Sequence, residues 1–424
     1  MRFAKVTIFC KRFLPFVLMA LALFIPISYR VTIYLLDIAF ITWILSYEWY
    51  KNLKTAFRNR IVFFSALFLL LAAFSLLYTK NIETGTTKIT QYISILLVPL
   101  MFATQSREIG KYKVQIERSF ILGLLLTAFY LLVRALSRSI FFTPVGVIYY
   151  PIPPEDPQGR YFFYQHFTEP FHPTYLAMYY SLGIAMLVFR IKQLHRVWPK
   201  VLGFVAVTLF MLMIYFASSN AGYISGMLVC IVSFLWLLKY QNRLYVFYVF
   251  IPLLVGFGVL LLNNDRFVNF MGYFRTQSDG FSENSSFEYK LKKEGTVRLK
   301  IWQIVPAAVG NNWLFGVGIG DVRETLAKTY QEKNLDFALS KRLNAHNQYL
   351  ETFVGLGLVG LSCLLILLGS ALWQSVRRRD MVFFLFMLII LINFMFESVL
   401  ERFFGVLFFV FFLSLFSMRE VDSV

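Results

Sequence analysis

Apolar residues in this chain gather into long runs separated by short polar stretches. A helix needs about 20 apolar residues to cross the hydrocarbon core of a bilayer, and about twelve runs are read against that length. They lie near 13–29, 31–47, 61–78, 89–104, 119–136, 173–189, 201–217, 221–238, 245–262, 350–373, 381–398 and 402–418. The pattern predicts an all-α integral membrane protein. Arg2, Lys5, Lys11 and Arg12 precede the first run as in the basic segment of a signal peptide. Yet Ala20 and Ala22 fall inside the run and no small-residue cleavage site closes it, so an uncleaved first span is expected.

Composition removes the soluble alternative. Hydrophobic residues make up 58% of the chain and charged residues 15%, with 48 phenylalanines, and the mean hydropathy is +0.64. A soluble domain carries about 25% charged residues. The formal charge of +18 could point to nucleic acid, but the basic residues sit between apolar runs, where a membrane protein keeps its topology signals. No nucleic-acid partner is expected. Clusters such as Lys51/Lys54/Arg58/Arg60, Arg107/Lys111/Lys113/Arg118, Arg190/Lys192/Arg196/Lys200 and Arg377/Arg378/Arg379 alternate with outer loops holding little beyond Arg30, Lys80 and Lys88. This asymmetry places both termini in the cytoplasm. Cys10, Cys230 and Cys363 lie in or beside apolar runs without paired spacing, so neither a disulfide framework nor a metal site is implied.

The organisation expected is therefore spans one to nine over 1–262, a long outer segment over 263–345, and spans ten to twelve with a short tail over 346–424. A second outer loop near 137–172 is rich in Pro and aromatics, including Pro151, Pro153, Pro154, Pro157 and Tyr161–Tyr164. Within 263–345, a Ser/Asn/Gly-rich patch around Gln277–Ser286 predicts a mobile stretch. Leu299, Trp302 and Val305/Pro306 give an apolar helical stripe from Arg298 to about Val309. Asp321 with Glu324 resembles a capping box opening another helix toward Arg342. No sequence repeat is evident, which weighs against an inverted-repeat transporter.

Residues fit for chemistry collect on the outer face. His346 is an interfacial histidine or a general base, since its ordinary pKa of about 6.5 leaves it neutral and accepting. Arg298 snorkels to a headgroup or offers a planar donor fork to a diphosphate. Trp302, four residues on, shares a helical face with Arg298 and can stack on it, or belongs to an interfacial belt. Gly316/Gly318/Gly320 reads as a tight turn between loop helices, and Gly355, Gly357 and Gly360 as close helix packing. Glu351, in the first turn of a helix, reads as structural. Asp37, inside the second span, is an expensive placement and a weak functional candidate.

Taken together, His346-Asn347, nine residues and then Gly357-Leu358-Val359-Gly360 resemble the signature of the bacterial O-antigen ligase/polymerase family. Arg298-Leu299-Lys300-Ile301-Trp302 resembles that family's Arg-x-x-x-Trp element, and Trp313–Gly318 its Gly-x-Gly turn. The resemblance implies a GT-C-like, metal-independent glycosyltransferase of the bacterial inner membrane, needing no cofactor. Its donor would be a glycan on undecaprenyl diphosphate and its acceptor lipid A–core or a related glycolipid, met at the periplasmic face. By motif position His346 inherits the role of base and Arg298 that of diphosphate holder, with Asn347 and Gln348 expected to orient the sugar or the histidine and Trp302 to join them in binding substrate. Where the family carries Ser-Arg-Gly at the start of a mid-chain span, this chain has Ser218-Ser219-Asn220-Ala221-Gly222. Asn220 brings hydrogen bonds without charge, and Arg160, Lys300 or Arg323 are the cations that could substitute.

The reaction expected is in-line attack with inversion at the sugar C1. A polymerase of the same family, a protein O-oligosaccharyltransferase and a polysaccharide transporter are the rival readings. The transporter would need ionisable residues lining several spans, whereas here they concentrate at span ends. A metal-dependent oligosaccharyltransferase is disfavoured, because no Asp-x-Asp cluster occurs in an outer loop.

Overall fold

The computed structural model describes residues 2–144, 146–153, 159–191, 196–240, 243–264, 267–268 and 286–418. All but the last residue of the Gln277–Ser286 patch, together with Pro154 and Pro157, lies outside them. In chain order the helices are α1 (Arg2–Phe24), α2 (Tyr29–Leu45), α3 (Glu48–Ala56), α4 (Arg60–Ser75), α5 (Ile82–Thr104), α6 (Ser106–Gly110), α7 (Lys113–Ser139), α8 (Tyr164–Thr168), α9 (Pro173–Ile191), α10 (Val197–Ala217), α11 (Asn220–Tyr240) and α12 (Arg243–Leu262). There follow α13 (Ser286–Val309), α14 (Val322–Glu332), α15 (Asp336–Ser340), α16 (Gln348–Arg378), α17 (Met381–Phe396) and α18 (Phe403–Ser417).

Each apolar run falls on a helix. Among the described residues, six helices are long and apolar enough to cross a membrane, or seven if the bent pair Tyr29–Leu45 and Trp49–Ala56 is one span. The protein is thus an all-α multi-pass membrane protein. Arg60–Ser75, Met381–Phe396 and Phe403–Ser417 are equally apolar in character but shorter; a 16-residue helix rises only about 24 Å. Helix starts are set by side-chain caps. Asn59 accepts from the Ile61 N–H, Asn81 from Thr84, Asn347 from Leu350 and Asp380 from Phe383, each relieving an unpaired donor of a first turn. One departure from the all-helical expectation lies in the 137–172 loop. There β1 (Ile140–Thr143) and β2 (Gly146–Tyr149) pair antiparallel, with Thr143 opposite Gly146. β-branched and aromatic residues flanking a two-residue turn are what such a hairpin requires.

The chain divides into two compact units, each discontinuous in sequence: Met1–Val17, Leu36–Lys113 and Tyr273–Val424 form one, Leu18–Leu35 and Val114–Gly272 the other. In the first, α4 packs on α5 and α16, α5 on α18, and α16 on α17. Charges gather at the two ends of this bundle. Lys113 meets Asp380 at 3.6 Å and Lys11 meets Glu108 at 3.9 Å, while the Arg60 and Arg377 guanidinium groups lie over the Trp373 ring. Elsewhere Lys88 meets Glu401, and Asp321 takes the backbone N–H groups of Lys80 and Asn81.

In the second unit α9 packs on α10 and α11, burying Tyr175, Tyr179, Tyr180 and Tyr223. The Arg190 guanidinium pairs with Glu117. Arg134 donates to the carbonyls of His166 and Phe167 at 2.9 and 3.1 Å and so holds the end of α8.

Candidate active site

The site in the first unit is built on a clamp between a loop and an interrupted helix. Helix α16 is broken at Gly357, whose φ of 63° and ψ of −162° are open essentially to glycine alone. A break frees backbone groups that cannot be left unpaired in an apolar setting. Here the segment after α13 supplies the partners. The N–H groups of Leu358 and Val359 donate to the carbonyls of Trp313 and Leu314 at 2.9 and 3.1 Å. In return the N–H groups of Val317 and Gly318 donate to the carbonyls of Val354 and Gly355 at 2.9 and 3.0 Å. The approach is so close that a Cβ on Gly316, itself at φ +75°, would lie 2.5 Å from the Gly355 carbonyl carbon. The two glycine groups read from the sequence as a turn and as helix packing are thus the two halves of one contact.

This clamp fixes the start of α16, and the residues before it are pinned one by one. The Tyr330 hydroxyl donates to the Leu343 carbonyl at 3.1 Å; burial pushes this phenol well above its ordinary range, with the Glu351 carboxylate adding to the shift. The Asn344 side chain accepts from the His346 N–H at 3.0 Å. Trp302 donates its indole N–H to the Ala345 carbonyl at 3.0 Å, and the Ala345 N–H donates to Glu351 Oε2 at 2.9 Å. His346 is held at φ +46°, in the left-handed region that non-glycine residues seldom occupy. Its side chain is 21% exposed, and its Nδ1 faces Glu397 Oε2 at 3.5 Å.

The other sequence-derived candidates divide accordingly. Asn347 caps α16, and Gln348, buried, accepts the Leu400 N–H at 2.7 Å while donating to Thr352 at 3.1 Å. Trp302 meets Phe396 at 6.5 Å between ring centroids, so its partners are the Ala345 backbone and α17 rather than the Arg298 guanidinium. Arg298 is half-buried on α13 and has no ion pair among the described residues; Lys300 is exposed. Arg323, at the start of α14, lies 4.0 Å from Glu401. Asn220 and the exposed Arg160 belong to the second unit, where Asn220 Oδ1 is buried without a hydrogen-bond partner. Asp37 lies on an exposed face of α2. The capping box expected at Asp321 does not form: its carboxylate takes the Lys80 and Asn81 N–H groups at 2.7 and 2.8 Å instead. The helix toward Arg342 ends at Glu332 and is followed by the short α15, because Asn334 turns left-handed at φ +54°.

Sequence reasoning missed Glu397 and Glu401, and counted Lys88 only as a loop charge. All three side chains are buried: Lys88 Nζ meets Glu401 Oε1 at 2.8 Å with side-chain exposures of 9% and 3%, and that of Glu397 is 6%. The signal was present, since two carboxylates at the junction of the last two apolar runs are costly in a membrane and mark function or pairing. Among the described residues, no group of three His, Cys, Asp or Glu side chains is arranged to hold a metal ion.

Residues 204–365 match the family model described as O-Antigen ligase. The match covers less than half of the chain, and over that stretch the chain is similar to the O-antigen ligases. No curated protein matches the chain. The matched stretch contains Asn220, Arg298, Lys300, Trp302, Arg323, His346, Asn347 and Gln348; Arg160, Lys88, Glu397 and Glu401 fall outside it.

Proposed function

We propose that this protein is an O-antigen ligase-type glycosyltransferase, transferring a glycan from undecaprenyl diphosphate to a hydroxyl of a lipid A–core or related acceptor at the periplasmic face. In this reading the chain crosses the inner membrane twelve times with both termini cytoplasmic, in a GT-C-like arrangement. A sugar C1 on a diphosphate already carries a good leaving group. The enzyme must take a proton from the acceptor hydroxyl and offset charge building on the departing diphosphate. His346 is the base. With Nδ1 3.5 Å from Glu397 Oε2, Nε2 takes the acceptor proton, and the nearby carboxylate stabilises the imidazolium that forms. The new bond from acceptor oxygen to C1 forms as the C1–diphosphate bond breaks on the opposite face, giving inversion. Arg298, the half-buried cation on the helix that also carries Trp302, grips the leaving diphosphate with its fork of donors. Asn347, Gln348 and Trp302 position the histidine through its neighbours, and Lys300 and Arg323, in the same unit, are assigned to the donor's diphosphate or sugar.

The observation that carries this reading is His346, its backbone pinned in a strained turn and its Nδ1 3.5 Å from a buried acid. The test is transfer in a deletion strain complemented with variants, read by envelope glycan analysis. His346→Ala should abolish transfer at unchanged protein abundance, and Arg298→Lys should lower it by about tenfold or more through loss of the bidentate fork. Near-normal transfer by His346→Ala would remove it from the mechanism. Ligase loss leaves bare core with lipid-linked polymer accumulating; core capped by a single repeat unit would assign the chain to polymerisation instead, and loss of glycoprotein to protein glycosylation.

A further inference from the structure

The ribbon of β1 and β2 takes no part in the chemistry above, and its surface is unlike that of a loop standing in water. Directly paired residues share a face, so Phe142 with Val147 makes one side and Phe141 with Ile148 the other. Phe142 is 86% exposed and Val147 65%, and Phe141 and Ile148 are exposed as well. Both faces are thus apolar and uncovered. A sheet with one face in water alternates apolar with polar positions and turns the apolar set inward; here neither set is hidden.

The place where the ribbon starts says what covers it. β1 begins at Ile140, directly after α7 ends at Ser139, and the Tyr150 N–H donates back to the Ser139 carbonyl at 2.7 Å. α7 is one of the helices long and apolar enough to cross a membrane. Along it Leu122, Leu126, Phe129, Val133 and Leu136 recur at three- and four-residue spacing and are all exposed, a stripe that faces lipid. Ser137, Arg138 and Ser139 then close the helix, with Arg138 beside Glu169 at 3.5 Å. This polar step marks the headgroup level, and beyond it the chain turns apolar again.

Two opposing demands fix the depth. Apolar faces favour leaving water. The outer edges of a two-stranded ribbon carry backbone groups that pair with nothing inside it, which excludes the hydrocarbon core. The interfacial layer meets both demands. It is only about 5–8 Å deep on each side of the bilayer, whereas strands of four residues extend about 13 Å. The ribbon therefore has to lie along the layer and cannot stand across it.

We infer that the β1–β2 ribbon is a lipid-binding element, seated lengthwise in the interfacial layer at the Ser139 end of α7 and covered by the glycerol and upper acyl region of bilayer phospholipid. In that place it holds the start of the 137–172 segment at the headgroup level. The inference requires only that α7 spans the membrane, and it stands whatever reaction the protein catalyses.

Fluorescence quenching in proteoliposomes tests it. Phe142→Cys and Ile148→Cys, one on each face, are labelled with bimane in the purified full-length chain. The labelled proteins are reconstituted into phosphatidylethanolamine–phosphatidylglycerol vesicles carrying nitroxide phospholipid. Cys10, Cys230 and Cys363 are buried, and wild type carried through the labelling gives the blank. Phe129→Cys on the α7 stripe and Glu332→Cys at the exposed end of α14 are the lipid and water references. A nitroxide at the top of the acyl chain should quench both ribbon labels at least about twofold more than one at the chain end, with iodide quenching less than about half of that at Glu332→Cys. Iodide quenching at either label equal to the water reference overturns the inference and leaves the ribbon to a partner other than the bilayer. Stronger quenching from the chain end also overturns it, since the ribbon edges would then lie in hydrocarbon. Should Phe142→Cys or Ile148→Cys yield no monodisperse protein, Val147→Cys or Phe141→Cys reports on the same face, with the same outcomes.

Discussion

Replacing Gly357 by alanine tests whether the loop-to-helix clamp stabilises the outer end of the first unit. A Cβ at this position would sit 2.3 Å from the Leu314 carbonyl oxygen, 2.4 Å from its carbon and 2.5 Å from the Phe315 nitrogen. These are backbone atoms that cannot rotate aside, so the 313–315 strand of loop must retreat by about 1 Å to reach ordinary contact distances. Retreat breaks the bonds from the Leu358 and Val359 N–H groups to Trp313 and Leu314. Each unpaired backbone group in an apolar setting costs about 1–3 kcal/mol. Holding an alanine at this φ and ψ costs about 1–3 kcal/mol more. The expected destabilisation is of the order of 3–9 kcal/mol. Gly369 lies in the same helix with nothing within 4 Å of an added Cβ, so Gly369→Ala should gain about 0.5–1 kcal/mol from helix propensity. Thermal unfolding of the two variants in detergent micelles is the assay. Gly357→Ala should melt several degrees below wild type and Gly369→Ala at or slightly above it; equal melting temperatures would refute the clamp.

Two further outcomes follow from the pinning of the segment before α16. Trp302→Phe keeps the ring but removes the indole donor to the Ala345 carbonyl, so stability should fall by about 1 kcal/mol and kcat should fall with it, measured by the transfer assay. Tyr330→Phe removes the donor to the Leu343 carbonyl and should cost about 1 kcal/mol at neutral pH. Because burial raises this phenol above its unfolded value of about 10, its stabilising contribution is complete below pH 10 and declines as pH rises beyond it. The Tyr330→Phe deficit in chemical denaturation should therefore be constant from about pH 7 to 9.5 and shrink above that range; a deficit that grew with alkalinity would contradict the assigned burial.

Much of this architecture was written in one dimension. The apolar runs became helices because nothing but a helix satisfies its own backbone in lipid, and the Asn59, Asn81, Asn347 and Asp380 caps mark starts that composition alone blurs. His346, Arg298 and the glycine-rich segments were also legible, through spacing that resembles a known family and through residue types suited to proton transfer and diphosphate binding. The hairpin at Ile140–Tyr149 was not, because a loop rich in Pro and aromatics carries no helical period to contrast with it.

Hydrophobic runs and motif spacing were thus enough to read the solvent, the element type and the candidate base. Folding was needed to reveal that Gly316 and Gly357 interlock, that Gln348 ties α16 to the Leu400 backbone, and that Glu397, Glu401 and Lys88 belong to the same neighbourhood as His346. Helix period and capping act over a few residues and leave a local trace. A buried charge pair between residues 88 and 401 shows in the sequence only as costly charges, not as partners, because its energy depends on the dielectric and the distance that folding creates.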